Sequence, residues 1–316
     1  MRRPLRFLVL AWFLSACGRS SAPQAERENP PPPASEPPRY DYLVWVRDTT
    51  EALFTYRIDD EGRVLESKDG IFLAIDGVEW EWRKEPITLK SSVDEGCHDV
   101  EGESSATRAS LVRRSDGWVQ TIVRPPDPDD FNGDFTHAVT LERSVGPFLF
   151  ITESTYVDGC AAHGSGDAQA IVWDVRHGAV KELAPEIENV EALRSKALTA
   201  LKSSDDADAD DADEADQVDE VREAHEANEM DDVTLAELRP KYTAEGKLEL
   251  SLRFTGFACF ACSDGDWSSY SRSAFVSAPT LPSSLAPYAE VPAAVRSFVR
   301  AHPELELGGF GVLNAR

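Results

Sequence analysis

The sequence predicts an α+β fold, an antiparallel β-rich domain with two to three helices. Three observations predict it. Short segments rich in Val, Ile, Phe, Tyr and Trp recur along the chain with turn residues between them, the spacing of a strand meander. Asp76-Gly77 and Asp116-Gly117 separate such segments, and tight hairpin turns need the positive φ these residues tolerate. Lys247 to Phe257, KLELSLRFTGF, puts Leu248, Leu250, Leu252 and Phe254 on one face by the two-residue period of a strand. A hydrophobic content of 41%, with 7 Trp and 14 Phe, is enough for a core.

The elements follow in order. Residues 1–16 carry Arg2, Arg3 and Arg6 around an apolar run from Leu5 to Phe13, too short for the roughly 20 residues a spanning helix needs. Leu14-Ser15-Ala16-Cys17 then resembles the lipobox of bacterial lipoproteins. That resemblance implies cleavage before Cys17, acylation of its thiol and amine, and a membrane contact made through the lipid. Two or more acyl chains make such an anchor stable. Gly18 in place of Asp implies the outer rather than the inner membrane. Residues 17–39 hold Pro23, Pro30 to Pro33, Pro37 and Pro38, and read as an extended tether.

Residues 40–316 read as the folded domain. Asp41–Arg47 and Ala52–Ile58 are strands, with Asp59 to Gly62 as the next turn. Val64-Leu65, Ile71–Ile75 and Val78–Trp82 continue the meander, and Trp80 and Trp82 share a core face. Val93 to Arg108 reads as a polar loop, with a division into two domains there as the alternative. Ser110–Arg114, Trp118–Val123 and Phe135–Arg143 are further strands. The carboxylate-rich loop Pro125 to Asp134 departs from a calcium loop, because Pro128 and Val139 occupy ligand positions. A helix is expected from Ala184-Pro185, with Ile187, Val190, Leu193, Leu198 and Leu201 on one face. Ser203 to Asp232 holds fifteen Asp or Glu against one Arg and reads as an acidic disordered insertion. Trp267–Ser277 is a strand and Val291–Ala301 a closing helix.

The formal net charge of -25 excludes nucleic acid as a partner, since that requires a basic face. It favours a basic protein by charge steering. Cys97, Cys160, Cys259 and Cys262 remain besides Cys17, and an even number in an exported chain implies disulfides. Cys259 and Cys262 are near enough to pair locally, which leaves Cys97 for Cys160. A redox Cys259-x-x-Cys262 pair and a zinc site from Cys97, His98, Cys160 and His163 are the competing readings. No cofactor or metal is expected.

The stretch Val145 to Leu183 carries the most distinctive features: two long strands around a loop, a turn at His177-Gly178, and a third strand. Tyr156, Ala162-His163-Gly164, Trp173-Asp174, Gly178 and Leu183 together resemble a family of extracytoplasmic bacterial domains. These occur in lysozyme-sensing anti-sigma factor ectodomains and beside peptidoglycan deacetylases. The likeness spans Leu141 to Phe257 and departs at Cys160-Ala161, where the family often has a Gly pair. It implies a binding loop at Ala162, His163 and Gly164 and a cell-wall context. The resulting expectation is an envelope lipoprotein with a non-enzymatic domain that binds peptidoglycan or a basic wall-acting protein. The alternatives are a wall-directed hydrolase using His163 with Asp158 or Asp167, and a purely structural envelope protein.

Overall fold

A computed structural model describes residues 40–90, 103–131, 133–159, 165–208, 233–257 and 271–313. Fifteen strands form three sheets among these residues, and two α-helices pack on two of the sheets. The expected α+β, strand-rich class is what the chain adopts.

The first sheet joins the two ends of the described chain. Its strands are β1 (Tyr42–Arg47), β2 (Leu53–Ile58), β3 (Val64–Asp69) and β15 (Glu306–Val312), in the order β15-β1-β2-β3 and all antiparallel. The sequence reading did not anticipate β15, whose Gly308-Gly309-Phe310-Gly311 has little strand propensity. Its glycines are needed for approach. A Cβ at Gly308 would fall on the Trp45 indole, and one at Gly309 on Ser144 Oγ. Trp45 is thereby fully buried, and its Nε1 donates to Ser144 Oγ at 2.7 Å. Helix α2 (Ala293–Ala301), entered through Pro292, buries Ala294, Val295 and Phe298 against Val44, Val46 and Ile58.

The second sheet is the body of the molecule. It comprises β4 (Phe72–Ile75), β5 (Val78–Lys90), β6 (Glu103–Arg113), β7 (Val119–Val123), β8 (Gly133–Val145), β9 (Phe148–Gly159), β10 (Ser165–Asp174) and β11 (Ala179–Val180). The order is β11-β10-β9-β8-β6-β5-β4, with β7 also on β6. The Asp76-Gly77 turn has φ of 51° and 76°, as its sequence requires. Trp80 and Trp82 are buried together in the core that Trp45, Leu111, Val139, Leu149 and Ile151 share. The loop expected over Val93–Arg108 is shorter than that, since β6 begins at Glu103 and pairs with the end of β5.

The third sheet is β12 (Thr234–Tyr242), β13 (Leu248–Phe257) and β14 (Ser271–Ser277), in that order. Leu250, Leu252 and Phe254 of β13 face one way, as their alternation demands, and pack under helix α1 (Val190–Asp208) with Leu193, Ala197 and Leu201. The helix expected from Ala184 is instead a single 3-10 turn, Ala184–Glu186, and α1 starts only after Asn189 at φ 57°. Helix α1 runs to Asp208, into the first residues of the acidic segment; 209–232 lie outside the described residues. No described helix is long and apolar enough to cross a membrane.

Candidate functional site

The central block folds as its pattern indicates, two long strands, a turn and a short third strand. Its β9 is buried on both faces near Phe148–Ile151. Ile151 and Leu149 enter the Trp45 core, while Phe148 and Phe150 face the opposite side with Val172, Leu183 and Leu285. On that opposite face β12 lies against β10 and β8. Strand β12 is an edge of its sheet, paired only with β13. Between this edge, the face of β8–β10 and the segment 180–185 runs a groove of about 620 Å³. That volume is within the range of small-ligand sites, about 300–1,000 Å³.

Three register shifts border the groove, and the one in β8 re-aims a side chain at it. Along β8, Phe135, His137, Val139 and Leu141 point inward. Strict alternation would send Arg143 into the same core. A register shift between Leu141 and Arg143 absorbs Glu142 and turns Arg143 to the groove face with Val145. A second shift, at Leu235/Glu237 in β12, leaves Ala236 extra, and in a third Gly308 of β15 is extra opposite Trp45 and Val46, just before Arg47. Arg47, Glu142, Arg143, Leu235, Ala236 and Glu237 all line the groove.

Its floor is apolar: Phe150, Val172 and Leu183 with Leu235 and Leu238. Val180 sits at its lip with 60% exposure. Its rim is charged. Arg143 forms an ion pair with Glu306 and donates to the Glu142 carbonyl at 2.6 Å. Arg47 reaches Glu51 at 3.2 Å and Glu142 at 3.8 Å. Burial lowers the Arg143 guanidinium below its ordinary value; Glu306 opposes that and Arg47 adds to it. Glu237 is buried between Arg239 at 2.6 Å and Arg253 at 2.8 Å. The wall at 184–186 is fixed by Glu186, which accepts from Ser283, Ser284 and Lys181. Burial alone would raise that carboxyl, but these donors hold it at about 2.

Of the candidate site residues read from the sequence, Asp158 and Asp167 are among the described ones, and neither lines the groove. Cys17, Cys97, Cys160, Cys259 and Cys262, with Ala162, His163 and Gly164, are outside the described residues. Asp158 is placed through its backbone, in β9 opposite Asp134. Asp167 is exposed on β10 and accepts the Ala168 N–H at 2.8 Å. Asp174 is buried and shapes the turn to β11. It accepts the Arg176 N–H at 2.9 Å and meets His177 Nδ1 at 2.7 Å, while Gly178 takes φ 63°. Arg176 then pairs with Asp76 through two nitrogens, tying this turn to the β4–β5 turn.

A buried histidine escaped the sequence reading. Thr107 N–H donates to His137 Nδ1 at 3.3 Å, so Nε2 carries the proton toward Glu153 at 2.9 Å. The pair ties β6, β8 and β9 together and is not part of the groove. Among the described residues, no group of three His, Cys, Asp or Glu is placed to hold a metal ion.

No family model matches the chain, and no curated protein matches it. Among solved structures, it is similar to a DUF3298 family protein from Pseudomonas aeruginosa PAO1. The identity is 12% and the TM-score 0.31, over 67% of this chain and 95% of that one. The two share a distant structural likeness, and the finer resemblance to lysozyme-sensing ectodomains is not carried by these matches.

Proposed function

We propose that this chain is a lipid-anchored envelope protein whose folded part is a non-enzymatic binding domain, with the groove between β12 and the β8–β10 face as its binding site. The groove is the observation that carries this reading. It joins an apolar floor to a charged rim, and among the described residues its lining contains no His, Cys or Ser. Such a surface binds by burial and charge. The lipobox-like Cys17 and the proline-rich tether support anchoring of the domain at a membrane surface, the outer one by the identity of Gly18. The acidity of the chain supports a basic wall-acting protein as partner, with peptidoglycan as the second candidate.

The test uses the mature chain without its lipid, residues 17–316 carrying Cys17→Ser. Ala170 pairs with Thr152 across β9 and β10, and both line the groove. Ala170→Trp therefore fills it. Wild type should retain lysozyme or peptidoglycan on a column, more weakly as salt rises, and Ala170→Trp should release it. Retention of neither removes both named partners. Release of wall fragments by wild type overturns the non-enzymatic reading.

A further inference from the structure

The groove has a polarity that its apolar floor alone does not explain. Arg143, Phe150 and Val172, on three strands, stand in one row with Lys181, the residue after β11. Arg143 pairs with Phe150, Phe150 with Val172, and the Lys181 N–H donates to the Val172 carbonyl at 2.7 Å. Three inter-strand steps make the row about 14 Å long. Each end is cationic, but the two ends differ. Lys181 is committed to Glu186 at 2.7 Å, within a network of four donors around one carboxylate.

At the other end, Arg143 and Arg47 are the buried members of their ion pairs. Their side chains are 16% and 18% exposed, against 44% for Glu306 and 76% for Glu51. An incoming anion would replace these more exposed acids on the guanidiniums. Burial and the charge of Arg47 disfavour the Arg143 guanidinium, Glu306 and Glu142 offset part of this, and a ligand anion that replaces an outward-turned acid keeps that offset. A planar carboxylate also matches the fork geometry of arginine.

We infer that the groove takes an amphipathic carboxylate, its head on Arg143 and Arg47 and its apolar body over Phe150 and Val172 toward Leu183. This rests on the reading of the groove as the binding site and adds the class of ligand. Glu142 and Glu306 share the arginine end, so the head of this ligand takes the place of one of these acids.

Calorimetry on the unlipidated mature chain tests this with three probes of one length: decanoate, decanol and decyltrimethylammonium. Decanoate should bind about tenfold more tightly than decanol, the lower end of what a charge-assisted pair contributes, and the cation more weakly than either. Arg143→Gln should weaken decanoate about tenfold and leave decanol unchanged, with circular dichroism confirming the fold. Arg47→Gln should act in the same direction, and serves if Arg143→Gln does not fold. Equal binding of decanoate and decanol in wild type, abolished in both by Ala170→Trp, overturns the ligand class and leaves the groove standing. Binding that Ala170→Trp does not alter overturns the ligand class and the groove together, and binding of no probe overturns the ligand class alone.

Discussion

Glu186 holds the groove wall, and neutralising it is the perturbation whose size can be worked through most fully. Its carboxylate accepts the Ser284 N–H at 2.9 Å, the Ser284 hydroxyl at 2.7 Å and the Ser283 hydroxyl at 3.0 Å, and it pairs with Lys181 at 2.7 Å. Together they hold the group at about 2 rather than 4.5. At about 1.4 kcal/mol per pKa unit the shift corresponds to at most about 3.5 kcal/mol. The side chain still reaches solvent, which reduces this to about 2 kcal/mol. A depressed carboxyl stabilises the fold fully above its unfolded value, and that contribution disappears as pH falls toward the folded value. Glu186→Gln should therefore lower the melting temperature by about 5 °C at pH 7. The gap between wild type and variant should narrow as pH falls from about 5 to 2. Thermal melts at pH 7, 4 and 3 measure it. No gap at pH 7, or a gap of constant size down to pH 3, would refute the reasoning.

Gly309→Ala should cost more than about 3 kcal/mol, because the new Cβ meets Ser144 and lies 2.7 Å from Trp45 Nε1. Gly117→Ala, with open space around it but φ 74°, should cost only about 1 kcal/mol, and urea titration separates the two. His137→Phe should cost about 2 kcal/mol by leaving Thr107 N–H and Glu153 without their partner, and amide exchange at Thr107 should quicken. Non-reducing peptide mapping should recover Cys97 with Cys160 and Cys259 with Cys262. The strands flanking the first two, Lys90, Glu103, Gly159 and Ser165, end on one side of the sheet, and free thiols would reopen the zinc reading.

The parts of the fold that follow from local pattern were legible. Alternation in β13 places Leu250, Leu252 and Phe254 under α1, and Asp76-Gly77 makes its turn. What was missed depends on distant partners. Strand β15 is glycine-rich because Trp45, more than 250 positions earlier in the chain, occupies the space of its side chains. Strand β12 contains Pro240, which argues against a strand unless that strand is an edge, and here it is one. Of the groove, one trace was present. Glu142 and Arg143 stand together in a strand that otherwise alternates, and adjacent charges there mark a bulge. The resemblance drew attention to Ala162, His163 and Gly164, outside the described residues, while Arg47 and Arg143 come together only through the pairing of β1 with β15 and the bulge in β8.

Hydrogen–deuterium exchange on the unlipidated mature chain, with and without saturating decanoate, tests the groove most directly. The account predicts slowed exchange at Leu235–Lys241 and at Val180–Glu182, with β2 and β3 unchanged. Binding of decanoate accompanied by protection confined to β2 and β3, or by no protection along β12, would contradict it.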